Sequence, residues 1–460
     1  MAKPAFRKPH EATPGRPKAP RTPPGSPTRS GWAGGALKHL RVSDVRGITQ
    51  LATQATAGVA HIAEGVHQSV WSTIGIPGGK VPGQARGITG LVYRSVRGIT
   101  QVLGHGADLL LRRLQPLLEL AEEAPPETPQ REAVLAALNG VMGDRLAASS
   151  NPLATPMTLR YQGMALEWQA MAPMPHTTGK VLVLVHGLCM NDLQWQTGPA
   201  GPHGAAGASV QPDRGHGAQL ASALGYTPVY LRYNTGLHTS QNGRTLAAQL
   251  EQLLTHWPTP VEELTVLGHS MGGLVTRAAV HYAQQQKLCW PARLKTIIFL
   301  GTPHHGAPLE RAGNWVDVLL GSSPYSRPFA RLAQLRSAGI TDLRYGHVLD
   351  KDWQGHDRFR RKPDTRQPLP LPAGVACHTI AATRAAKRST LSERLVGDGL
   401  VPLPSALGQH AEPARCLAFA RGSQWIGYRM NHMQLLGSPE VARQILLWLA
   451  PPTAGSFPGP

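Results

Sequence analysis

Ser270 lies between Gly268 and Gly272 in the stretch LTVLGHSMGGLVTR, residues 264–277. A serine hydroxyl attacks a carbonyl carbon effectively only when a base takes its proton. An imidazole base in turn needs a carboxylate to hold its tautomer and balance the charge it gains. The chain supplies both after the serine: Asp398 in Gly397-Asp398-Gly399, and His432 in Asn431-His432-Met433. The oxyanion made by such an attack needs two N–H donors, one from the residue after the nucleophile and one from a loop after an early strand. Met271 is the first candidate, and Leu188, closing His186-Gly187-Leu188, is the second. The chemistry open to this set is acyl transfer from an ester through a serine-bound intermediate.

To present Ser270, the chain must run as strand, sharp turn and helix. Leu264, Val266 and Leu267 are apolar as a buried parallel strand requires, and Leu274, Val275, Ala278 and Ala279 make a helical apolar stripe. The flanking glycines answer a steric need, because so tight a turn leaves no room for side chains. The first N–H groups of the helix then face the oxyanion. Apolar runs at 181–185, 229–233, 296–300 and 376–384 repeat the strand signature, with a strand pair expected over 157–168 and a last strand over 416–419. Helices are expected over 131–146, 241–257 and 441–449. Serine, acid and histidine thus follow one another in the loops after successive strands.

The other histidines and the cysteines offer less. His186 reads as a side chain bracing its own loop rather than as an acid or base. His304 and His305, in Gly301-Thr302-Pro303-His304-His305-Gly306, are residue types that bind metals, but sequence neighbours point in different directions. No metal and no cofactor is expected. The four cysteines, Cys189, Cys289, Cys377 and Cys416, match no metal-ligand spacing. They read as reduced thiols of a cytoplasmic protein, with two disulfides as the alternative.

With 460 residues, 41% of them hydrophobic, the chain can bury a large core. Its formal net charge of +19 would attract phosphate, yet no aromatic platform or nucleic-acid motif accompanies it, so no nucleic-acid partner is expected. A solvated basic surface, or contact with anionic headgroups, is the better use of the charge. No secretory stretch opens the sequence, and no run reaches the ~20 apolar residues of a spanning helix. The expectation is a cytoplasmic protein that meets a membrane, if at all, from the side.

Residues 1–35, rich in Pro, Lys, Arg, Gly and Ser, read as a disordered basic tail, and 453–460 as a second one. Residues 36–150 form an N-terminal helical region. Apolar residues recur there at steps of three and four over 37–71 and 85–122, and Arg-Gly-Ile-Thr starts at Arg46, Arg86 and Arg97, as in a helical hairpin. These helices either pack on each other and on the catalytic domain, or turn Gly47, Gly58, Gly65 and Gly98 towards a bilayer or partner. The catalytic domain is expected over 151–452. Its insertion at about 307–372 is either a lid over an apolar substrate or a passive excursion.

From residue 180 to 449 the chain resembles the α/β-hydrolase superfamily, in its lipase- and esterase-like branch that includes glycosylphosphatidylinositol inositol-deacylase-like domains. The pieces that carry the resemblance are VHGL (185–188), GHSMGG (268–273), GTPHHG (301–306), GDGLVP (397–402) and NHMQLL (431–436). The resemblance implies an α/β fold, a mostly parallel sheet with helices on both faces. It also implies Ser270 as nucleophile, Asp398 as acid, His432 as base, and Leu188 and Met271 as oxyanion donors. The implied activity is hydrolysis of carboxylic esters, lipid or acyl esters among them. Transfer to an alcohol other than water, and an inactive membrane-associated scaffold, are the alternatives. The N-terminal helices lie outside the resemblance.

Overall fold

The computed structural model describes residues 127–169, 174–196, 215–307, 336–355, 364–386 and 397–450, together with Ser43, Arg46, Gly47 and Gln50. The two tails and nearly all of the 37–71 and 85–122 helices expected from the sequence lie outside the described residues. At Gly47 the packing is to the chain itself: its carbonyl accepts from Asn151 Nδ2 at 3.0 Å, and a Cβ there would fall against Leu153.

One eight-stranded sheet organises the molecule, in the order β2-β1-β4-β3-β5-β6-β7-β8. The strands are β1 Thr158–Tyr161, β2 Met164–Ala165, β3 Lys180–Val185, β4 Thr227–Arg232, β5 Glu263–His269, β6 Leu294–Leu300, β7 Ala376–Thr383 and β8 Gln424–Tyr428. β1 pairs antiparallel with β2 and β4. Every pairing from β4 to β8 is parallel. Gln162 and Gly163, both at positive φ, make the tight β1–β2 turn.

The unbroken apolar run of β3 is explained by burial on both faces. Val181, Val183 and Val185 enter one core, and Leu182 and Leu184 enter the other. β6 divides in the same way, Ile297 and Phe299 to the first core and Ile298 and Leu300 to the second. Side chains alternate along a strand, so a sheet sandwiched between helices needs apolar residues at every position.

Eight α-helices are described: α1 Pro129–Ala148, α2 His216–Leu224, α3 Thr239–His256, α4 Met271–Gln285, α5 Ala338–Tyr345, α6 Asp350–Trp353, α7 Leu403–Ala406 and α8 Pro439–Leu449. α1, α3 and α4 cover the first face through Ala137, Val141, Leu246, Leu250, Leu274 and Ala278; α2 and α8 cover the second through Leu220, Val441 and Ile445. α3 and α4 cross closely because Gly243 leaves its place to the methyl of Ala278. Of the insertion, the described residues carry α5 and α6. Residues 308–335 and 356–363 of it lie outside them.

One strand falls elsewhere than expected. Residues 416–419 form no strand; Leu417 N–H donates to the Gly408 carbonyl at 2.8 Å, and the last strand is β8. β8 is the sheet edge, half-buried, so it lacks the apolar run that marks central strands. Cys416-Leu417-Ala418-Phe419 is apolar for another reason: Leu417 and Phe419 pack against the turn at Gly408 that follows α7.

Candidate active site

Ser270 sits between β5 and α4 with φ 55° and ψ −123°. Such a conformation costs a non-glycine residue of order 1–3 kcal/mol, so its surroundings must hold it there. The glycines show how. A Cβ on Gly272 would overlap the carbonyl oxygens of Val185 and His186, and one on Gly268 would lie 2.9 Å from the Cα and N of Gly273. The Ser270 N–H donates to the Leu300 carbonyl at 2.8 Å, tying the turn to the end of β6. The serine is 3% exposed.

Asp398 and His432 meet directly: His432 Nδ1 lies 2.6 Å from Asp398 Oδ2. The other carboxylate oxygen, Oδ1, accepts from the N–H groups of Leu400 at 2.8 Å and Val401 at 2.7 Å. This Asx turn, between Gly397 (φ 39°) and Gly399 (φ 98°), fixes the carboxylate before it reaches the imidazole. The two loops are also joined through backbone, His432 N–H to Asp398 carbonyl at 3.2 Å. With Nδ1 engaged, Nε2 is the free end of the ring; it is buried and has no hydrogen-bond partner among the described residues.

Ser270 shares this patch. His269 Nε2 lies 3.2 Å from the His432 carbonyl, and the two rings stand 4.7 Å apart. A Cβ on Gly301, the residue after Leu300, would lie 3.1 Å from Cε1 and Nδ1 of His432. No hydrogen bond joins the Ser270 hydroxyl to His432.

The Leu188 loop presses on the serine: a Cβ on Gly187 would lie 3.0 Å from Ser270 Cβ. Leu188 and Met271 are both fully buried, and neither N–H donates to another described residue. Met271 N–H opens α4, where the helix dipole favours negative charge. His186 stacks on Tyr233 at 4.5 Å, and the Tyr233 hydroxyl donates to the His186 carbonyl at 2.8 Å. Burial lowers the His186 pKa to about 4, so the ring braces the loop as a neutral group. Burial also pushes the Cys189 thiol up to about 12, which keeps it protonated and unreactive.

His304 and His305 diverge. His304 is buried with its ring against Phe299 and Phe419, whereas His305 packs on His410. Among the described residues no group of three or more His, Cys, Asp or Glu could hold a metal ion.

Three supporting contacts had no signal in the sequence. His269 holds the His432 backbone, His216 of α2 reaches the Leu435 carbonyl through Nε2 at 2.8 Å, and Thr235 Oγ1 accepts from the Cys189 N–H at 3.1 Å. Each joins residues far apart in the chain.

Residues 176–366 match the family of PGAP1-like alpha/beta domains, and the strand order and covered parallel sheet agree with that match. The chain has the α/β-hydrolase fold. The matched span holds Leu188, Ser270 and Met271, while Asp398 and His432 lie beyond it. Among solved structures, the mature form of Bacillus licheniformis lipase BlEst2 aligns at 17% identity over 64% of this chain and 98% of its own, with a TM-score of 0.36. A lipase-esterase related protein from Clostridium acetobutylicum aligns at 11% identity over 60% of this chain and 96% of its own, TM-score 0.30. The RedJ thioesterase of the prodiginine pathway in Streptomyces coelicolor aligns at 15% over 61% and 94%, TM-score 0.31. No curated protein matches the sequence. No described helix is long and apolar enough to cross a membrane.

Proposed function

We propose that the protein hydrolyses carboxylic esters, lipid or acyl esters in particular, with Ser270 as nucleophile, His432 as base and Asp398 as its orienting acid. The 2.6 Å contact between His432 Nδ1 and Asp398 Oδ2 carries this reading, because it assigns the ring proton to Nδ1 and leaves Nε2 basic. His432 Nε2 takes the hydroxyl proton as Ser270 Oγ bonds to the ester carbonyl carbon, and the carbonyl electrons pass to the oxygen. The N–H groups of Leu188 and Met271 hold that oxyanion. Collapse breaks the bond to the alcohol, which leaves with the proton from His432, and an acyl-enzyme remains. Water, deprotonated by His432, then attacks the acyl carbon; the bond to Ser270 Oγ breaks as His432 returns the proton to that oxygen, and the carboxylic acid leaves.

The test is a panel of p-nitrophenyl esters from short to long acyl chains, run on the wild type and on Ser270→Ala. Turnover by the wild type that disappears in a folded Ser270→Ala supports the assignment, and equal rates in both end it. Added acceptor alcohols separate hydrolysis, which gives free acid, from acyl transfer, which gives new esters. A folded wild type that turns over no ester favours a scaffold of the same fold.

A further inference from the structure

α1 precedes the family-matched span, yet it reaches the oxyanion loop. Gly140, in the middle of the helix, faces Cys189, the residue after Leu188. A Cβ on Gly140 would overlap Cys189 Sγ and stand 2.9 Å and 3.0 Å from the Cys189 Cα and N. Cys189 is itself in the left-handed region at φ 59°. The loop therefore turns back against a helix face that glycine keeps open.

The same helix is tied down around that contact. Ser337 Oγ donates to the Gly140 carbonyl at 2.6 Å, Asn234 Nδ2 to the Gly143 carbonyl at 2.9 Å, and Ala338 N–H to Asp144 Oδ2 at 3.1 Å. Ala137 and Val141 join the core cluster that contains Leu188 and Met271. A second tether runs from the first turn of α1. Glu132 Oε2 accepts from Arg232 Nη1 at 2.8 Å, and Arg232 Nε donates to Asp192 Oδ1 at 2.5 Å. Asp192 also lies 3.3 Å from Arg160 Nε. Asp192 closes the loop that Leu188 opens, so the segment is held at one end by direct packing on Gly140 and at the other through Arg232.

We propose that α1 is the positioning element of the oxyanion loop, with Gly140 setting where the Leu188 N–H points. The proposal rests on the ester-hydrolase reading for its kinetic consequence, though not for its geometry. An oxyanion donor must lie within hydrogen-bond range of where the charge develops, and displacement by about 1 Å costs on the order of 100-fold in rate.

The experiment compares Gly140→Ala with the wild type by p-nitrophenyl ester kinetics and by amide hydrogen exchange at Leu188 and Cys189. The expected result is a kcat lower by about 100-fold with KM little changed, faster exchange at those two amides, and unchanged exchange in β5. Adding Cys189→Gly, which removes the overlapped Sγ and suits the positive φ but leaves the Cα and N contacts in place, should return part of the lost kcat. Should Gly140→Ala not fold, Glu132→Gln cuts the second tether without adding volume and should also speed exchange at the two amides. Wild-type kcat and exchange in folded Gly140→Ala, or a kcat loss with unchanged exchange at Leu188 and Cys189, would overturn the proposal. If the wild type hydrolyses no ester, the ester-hydrolase reading falls while hydrogen exchange still decides whether α1 holds the loop.

Discussion

His432 Nδ1 and Asp398 Oδ2 stand 2.6 Å apart with 0% and 1% of their side chains exposed. A charge-assisted hydrogen bond in so dry a place is strong, and it fixes one tautomer. Asp398→Asn keeps the size of the side chain and an oxygen for the Leu400 and Val401 N–H groups, but its amide would donate to Nδ1 and move the ring proton to Nε2. Turnover of an ester substrate should fall by about 10⁴-fold with the circular dichroism spectrum unchanged. Undiminished turnover would mean that the pair is structural.

Gly272→Ala should disrupt the turn at Ser270. The new methyl would meet the Val185 and His186 carbonyl oxygens, and backbone cannot rotate aside as a side chain can. Overpacking of this kind costs about 1–3 kcal/mol or more. A lowered urea midpoint together with lost turnover is expected; wild-type values in both would remove the steric reason for glycine.

Arg232 is the hinge of a buried ionic network with Asp192, Glu132 and the more exposed Glu127. Arg232→Met leaves Asp192 and Glu132 buried beside fewer positive charges. Removing one partner of a buried pair costs about 3–5 kcal/mol. Equilibrium urea unfolding should show that loss in the midpoint at constant slope, and a loss below 1 kcal/mol would show that water screens the network.

Acid should destabilise the fold before its carboxylates titrate. Burial lowers the pKa of His186 to about 4, and it also lowers His216, His269 and His304. Unfolded, each histidine binds a proton near its ordinary value of 6.5. Between that value and the folded one, the unfolded chain holds more protons. Stability is therefore full above pH 6.5 and falls as pH drops towards about 4, by up to about 1.4 kcal/mol per pH unit for each such group. Urea midpoints across that range measure it; a flat profile would contradict the buried neutral histidines.

Much of this was legible in the residues. The alternating burial of β3 and β6 follows from apolar runs that only a doubly covered strand requires, and the glycines around Ser270 foretold the turn that the backbone adopts. β8 was not legible, because an edge strand needs no apolar run, whereas the apolar 416–419 segment packs on a turn instead. The link from Gly140 to Cys189 and the path from Glu132 through Arg232 to Asp192 were also hidden. They join residues that are distant in the chain, and no local pattern records which glycine or arginine makes a tertiary contact.

The central claim is that Ser270 is a nucleophile made reactive by its neighbours. Incubating the protein with a fluorophosphonate and mapping the adduct by mass spectrometry tests it without any choice of ester. The expected result is one modified peptide, the one carrying Ser270, and no modification in Ser270→Ala. A folded wild type that stays unlabelled, or an adduct that persists in Ser270→Ala, would contradict it.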